Sequence, residues 1–284
     1  MSSGEIILLG AVAGLTIFLG LPVGRIRGLS AMWRAVLNAG AAGVLVFLLV
    51  ETVAHAFEPV EEAVEEKEWA EFLLRAPIFL VAFGVGLLSL VYYDRWMKQK
   101  VHAVGGSVGG SVGPGAASVA EFGVASRIAR MSEPKRLALL IAIGIGIHNF
   151  AEGLAIGQSA ESGAVDLAVL LVIGFALHNA TEGFGIVAPL TSEQEMPSWG
   201  FLFAMGCIAG IPTFVGTVIG QAWTNENLEI AFLALAAGSI LYVIVQLLRV
   251  AAKLDHDQMH VMWGLFAGIV LGLGTELVLV AAGL

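Results

Sequence analysis

Hydrophobic and polar positions along this chain fall into long blocks, not the short periods of a soluble helix or strand. Eight apolar stretches stand out, at about 5–24, 33–57, 72–96, 136–160, 164–188, 198–222, 228–251 and 260–283. Each supplies the roughly 20 residues that an α-helix needs to cross a bilayer's hydrocarbon core. Within lipid, backbone N–H and C=O groups must be satisfied inside the segment, so runs of this length predict helices. The pattern predicts an all-α, polytopic membrane protein with eight transmembrane helices, forming one transmembrane domain over 1–284.

The polar punctuation orients those helices. Arg25, Arg27 and Arg34 lie between spans one and two. Arg95, Lys98, Lys100, Arg127, Arg130, Lys135 and Arg136 lie between spans three and four, and Arg249 and Lys253 between spans seven and eight. In an eight-span chain these connections share one side and hold twelve of the fourteen Lys and Arg residues, leaving Lys67 and Arg75 opposite. The positive-inside rule then places both termini outside the cytoplasm, with the plasma membrane the expected location. The second connection is acidic (Glu58, Glu61, Glu62, Glu65, Glu66, Glu68, Glu71) and reads as a helical extension at the outer face. The third, 98–133, contains GGSVGGSVGPGAAS at 105–118 and reads as a flexible cytoplasmic linker.

Composition adds exclusions. The chain is 58% hydrophobic and 13% charged, with a mean hydropathy of +0.88, whereas soluble domains carry roughly 25% charged residues. A net charge of -9 offers no basic stripe for nucleic acid. The single cysteine, Cys207, excludes a disulfide framework or a Cys-based zinc site. Residues Met1–Glu5 lack a basic stretch ahead of the apolar run, so no cleaved signal peptide is expected. Glycines at small-xxx-small spacing (Gly206/Gly210, Gly216/Gly220, Gly264/Gly268/Gly272) let helices approach closely in lipid. That approach is expected within the bundle first, with a homodimer face as the alternative.

The chemistry concentrates in two adjacent spans. Span four reads IGIGIHNFAEGLAIG (143–157) and span five VIGFALHNATEGFGI (172–186). Both contain His-Asn-x-x-Glu-Gly: His148, Asn149, Glu152, Gly153 and, 30 residues on, His178, Asn179, Glu182, Gly183. Residues four apart share a helix face, so each His lies one turn from its Glu, with the Asn on the flank. Ionisable groups at bilayer depth are costly and face a partner or an aqueous path. Two such sets turned toward each other can share a cation. Imidazole suits zinc, iron, copper and nickel, and carboxylate and amide oxygens bring in harder ions. A simple His–Glu hydrogen bond would explain one such motif, but it explains two identical copies poorly. Without thiolate, the set suits an ion that must be released.

These spans resemble those of the ZIP (Zrt/Irt-like) family of divalent metal transporters, whose fourth and fifth helices carry HNxPEG-type motifs. Eight spans, outer termini and a variable loop after span three are also similar, as is AFLALAAGSILYVIVQLL (231–248) to that family's seventh span. The resemblance implies a 3+2+3 helix arrangement with inverted repeats flanking the central pair. It also implies metal movement from outside into the cytoplasm by one bundle shifting against another. His148, Glu152, His178 and Glu182 would then ligate one ion, and Asn149 and Asn179, with bridging glutamates, a second. The chain departs from the family at Ala151 and Thr181, which replace the motif prolines. It also lacks a carboxylate in CIAGIPTFVG (207–216) and carries Gln246 where many members have Glu.

Other polar residues extend the candidate path. Glu51 and His55 sit one turn apart in span two, Gln158 beyond the span-four motif, and Gln246 in span seven. Glu276 in span eight has no sequence partner and reads as reaching water at the outer end. The string DHDQMH (255–260) offers His256 and His260 for metal capture on the cytoplasmic side. The expected cargo is zinc, with iron, manganese, cadmium and cobalt as other candidates, and no catalytic cofactor is expected. The expected partners are thus a divalent metal ion and the lipid bilayer. The alternative to a carrier is an intramembrane zinc-dependent enzyme or a metal sensor. HExxH chemistry needs Glu directly after the first His, where this chain has Asn, so the chain is not expected to be an enzyme.

Overall fold

The computed structural model describes residues 3–106, 131–161, 165–192, 195–222 and 225–281; some side chains within these helices, His178's among them, are not described. Among the described residues, eight α-helices follow one another: α1 (Ser3–Leu15), α2 (Ala31–Glu65), α3 (Trp69–Gly106), α4 (Glu133–Glu161), α5 (Val165–Val187), α6 (Trp199–Ala222), α7 (Glu226–Leu254) and α8 (Gln258–Ala281). There is no strand among the described residues. Among those residues, seven stretches are long and apolar enough to cross a membrane. The remaining helix, α5, has 23 residues and carries the second motif. The chain is a membrane protein built from apolar helices.

Local sequence sets where these helices begin and bend. Ser30 caps α2 by accepting the Trp33 N–H at 3.3 Å, and Asn225 caps α7 by accepting the Leu228 N–H at 3.1 Å. The first span changes character midway: α1 gives way to 3₁₀ turns at Thr16–Leu19 and Leu21–Arg25, with Pro22 opening the second. Gly20, between those turns, lies so near Ala180 and Phe184 of α5 that a methyl there would strike their backbone. The acidic stretch prolongs α2 to Glu65 as expected, and the chain reverses through Lys67, at a φ of 63°. Helix α3 runs on through Gly106, so the first part of the expected linker is helical; 107–130 lie outside the described residues.

Packing sorts the helices into two groups. In one, α4 lies along α6, with α1 and α5 against them; in the other, α7 and α8 flank α2, and α3 lies on α7. The groups meet mainly where α4 crosses α7 and α2 crosses α5. Helix α4 is innermost, with 78% of its spanning window buried against 17% for α3 and 22% for α8. The exposed faces of α3 and α8 carry Leu73, Leu80, Val81, Trp263 and Phe266. An apolar exterior of this extent is what a lipid-facing surface requires.

The glycine stripes are used inside the molecule. Added methyls at Gly216 and Gly220 would meet Phe150 and Leu154 of α4, and one at Gly268 would meet Gly40 of α2. Without side chains at these points, α4 and α6, and α2 and α8, come into backbone contact, which is the main source of packing energy between helices in lipid.

Candidate metal centre

The first motif lies on α4 and the second on α5, and the described members are deeply buried. Asn149, Asn179 and Glu182 are 0% exposed, His148 4% and Glu152 5%. The α4 motif closes a local contact of the kind that two facing turns predict: His148 Nε2 lies 3.0 Å from Glu152 Oε1. The ring's other nitrogen, Nδ1, lies 3.4 Å from Thr52 Oγ1 on α2. That hydroxyl donates its one proton to Leu48 O at 2.7 Å, which leaves its lone pairs for an imidazole N–H. The arrangement therefore favours the tautomer protonated at Nδ1, with the Nε2 lone pair facing the carboxylate.

The two asparagines do the same thing in the two halves of the chain. Asn149 Nδ2 donates to Ala209 O on α6 at 3.0 Å, and Asn179 Nδ2 donates to Ala13 O on α1 at 3.0 Å. Only the amide nitrogen can donate to a carbonyl, so both side-chain oxygens must point elsewhere. Neither Oδ1 has a hydrogen-bond partner among the described residues. Glu152 Oε2 and both carboxylate oxygens of Glu182 are likewise unpaired, although the Asn149 amide approaches Glu182. The motif glycines complete the parallel: Gly153 abuts Thr213 and Thr217 of α6, and Gly183 abuts Ile17 in the 3₁₀ turn that follows α1.

Five orphaned oxygens in one buried region are unusual, because an unsatisfied buried acceptor costs free energy. A divalent cation accepts lone pairs and would satisfy them. At a tetrahedral zinc with bonds of about 2.0–2.2 Å, neighbouring N and O ligands stand roughly 3.3 Å apart. The His148–Glu152 contact at 3.0 Å would need to open by only a few tenths of an ångström. Among the described residues no three His, Cys, Asp or Glu side chains gather around one cation position. The expected fourth ligand, His178, lies on α5 with its side chain outside the described residues.

The remaining candidates separate. Glu51, half-buried on α2, interacts electrostatically with His148, Glu152 and Glu182, which ties it to the motifs. His55 is exposed one turn away, its Nδ1 at 3.1 Å from Glu51 O. Glu276 of α8, read from sequence as facing water alone, is half-buried and within electrostatic reach of Glu51. Gln158 lines an apolar cavity between α4, α6 and α7 of about 390 Å³, away from the motif carboxylates. Gln246 is half-buried on α7. His260 Nδ1 pairs with Asp255 Oδ2 at 2.8 Å, and His256 is exposed beside them. Asp255's carboxyl is held below its usual range, first by the Asp257 N–H and then by His260. Thr52 carries no signal of this role in the sequence, because a threonine in an apolar span normally just returns its hydroxyl to the preceding turn.

Residues 117–279, more than half of the chain and including both motifs, match the sequence model of a family described as ZIP Zinc transporter. No curated protein matches the chain.

Proposed function

The chain belongs to the ZIP zinc transporter family, and from that premise we propose that it carries zinc into the cytoplasm through a site shared by α4 and α5. Membership implies transport of a divalent metal ion across a membrane. The observation that carries the finer reading is the set of buried, unpaired oxygens on Asn149, Glu152, Asn179 and Glu182 beside His148. His148, Glu152, His178 and Glu182 form the first ligand set, and the two asparagine oxygens extend it. Thr52 keeps the His148 Nε2 lone pair turned to the ion, and Glu51 feeds the site from the α2 side. An N/O set without thiolate binds firmly enough to select a borderline cation and weakly enough to release it.

The 3+2+3 repeat is supported by matched contacts. Exchanging α1 with α6, α4 with α5, α2 with α7 and α3 with α8 turns each asparagine bridge into the other. It also turns the α2–α8 packing into that of α7 with α3. The two packing groups are the natural moving bodies, with α4 and α5 carrying the cargo in one of them. The concentration of Lys and Arg on one side supports outer termini, and inward delivery at the plasma membrane is the direction that the family resemblance suggests. The glycine stripes, taken up by internal packing, lend no support to a homodimer.

Proteoliposomes containing a zinc-sensitive dye test this reading. Saturable zinc accumulation by the wild type, abolished in His148→Ala/Glu182→Ala, is expected. Folded wild-type protein that moves no zinc, iron, manganese, cadmium or cobalt would overturn it, and hydrolytic activity in its place would favour the metalloenzyme.

A further inference from the structure

A polar cavity lies away from the motifs, on the Lys/Arg-rich face where α1 passes into α2. It measures about 190 Å³, and Arg25, Arg27 and Arg34 line it together with Thr191 and the segment Glu195–Pro197. Three arginines and one acidic residue, the exposed Glu195, thus share its lining. None of the three arginines forms an ion pair among the described residues. Arg25 Nη1 instead donates to Pro197 O, and its guanidinium stacks 4.6 Å over the Trp199 ring. Arg34 Nε is buried without a hydrogen-bond partner. The cavity also borders the first turn of α2, whose positive dipole end favours an anion.

The surroundings indicate the depth of this site. Trp33 and Trp199 are exposed by 54% and 61%, beside Met196 at 40%. Exposed tryptophans next to arginines mark the headgroup level of a bilayer. The cavity is closed by the α1–α2 connection and the α5–α6 connection, so it spans the seam between the two helix groups.

We propose that this cavity is a binding site for a phosphate group, held by Arg25, Arg27 and Arg34 at the joint between the helix groups. Planar guanidinium forks match phosphate oxygens, and each charge-assisted contact is stronger than a neutral hydrogen bond. The phosphate can come from an anionic lipid headgroup or from free phosphate. A ligand here bridges both groups and stabilises the arrangement in which the cavity is formed.

The test uses the purified full chain in detergent, with dioleoyl phosphatidylglycerol, dioleoyl phosphatidylcholine and inorganic phosphate as probes, and native mass spectrometry and thermal shift as readouts. Selective retention of phosphatidylglycerol, weakened by about ten-fold or more in Arg27→Gln and in Arg34→Gln, is expected, since losing a charge-assisted contact costs on that order. If inorganic phosphate at millimolar concentration binds and displaces the lipid, the site stands with free phosphate as its ligand. If it does not, the lipid headgroup is the ligand. Arg27 is exposed, so its variant separates lost binding from lost folding. Equal retention of the two lipids with no phosphate binding, or unchanged retention in both variants, would overturn the proposal.

Discussion

Replacing Gly153 by alanine probes the link between helix packing and the site. A Cβ at this position would run into the Thr213 carbonyl oxygen and stand 2.9 Å from Thr217 N, both backbone atoms of α6. Neither can rotate away, so α4 must shift. Overpacking of this kind costs about 1–3 kcal/mol, and alanine's better helix propensity returns up to about 1 kcal/mol. The net effect is a destabilisation of up to about 3 kcal/mol. Gly84 on α3 is the control, with no described atom within 4 Å of an added Cβ. There only the propensity gain remains, so Gly84→Ala is neutral or stabilising by up to about 1 kcal/mol. Unfolding in mixed detergent micelles, followed by circular dichroism, reads both changes. Because Gly153 follows Glu152 directly and α4 is tied to α6 through Asn149, relief of the clash also displaces the carboxylate. Zinc uptake should therefore fall in Gly153→Ala and persist in Gly84→Ala. Equal stability changes in the two variants, or wild-type uptake by Gly153→Ala, would refute the reasoning.

Thr52→Val keeps the side-chain shape but removes the acceptor near His148 Nδ1. Loss of an orienting partner typically weakens metal affinity by about 10–100-fold, so a dye-competition titration should show that loss; unchanged affinity would remove Thr52 from the site. Lys67 occupies the left-handed region with a φ of 63°, a conformation that costs a side-chain-bearing residue about 1 kcal/mol. Lys67→Gly should raise the unfolding free energy by about that much or less, and a drop would show that the Lys67 side chain compensates. Asp255's depressed carboxyl titration means that its contacts stabilise the α7–α8 connection above the ordinary carboxylate range. That contribution fades as pH falls through the lowered value. Carbon-13 NMR should show the Asp255 titration moving up in both Asp257→Pro and His260→Ala, and further in the first, which deletes the larger contribution; the reverse order would contradict the geometry.

Much of this architecture is legible in the chain, because lipid imposes a simple rule on length and polarity. The blocks at 33–57, 198–222 and 228–251 fall within α2, α6 and α7 to within a few residues, and the acidic tail of α2 extends its helix as its composition suggests. The passage of the first span into 3₁₀ turns is not legible, since it depends on the approach of Gly20 to α5. The motifs announce a polar cluster, and their Asn residues read as ligands alone. Only the packing reveals that each amide nitrogen anchors a carbonyl on another helix while its oxygen stays unpaired. That Glu276 comes within electrostatic reach of Glu51 is legible only in the packing, because the two stand far apart in the sequence. The same holds for the two helix groups, since only the packing joins α1 with α4, α5 and α6.

Zinc K-edge X-ray absorption on the zinc-loaded protein tests most directly whether the paired motifs hold the cargo. The account predicts a first shell of nitrogen and oxygen only, at about 2.0–2.2 Å, with an imidazole signature that weakens in His148→Ala. A sulfur shell near 2.3 Å, or a spectrum unchanged in His148→Ala/Glu182→Ala, would contradict it.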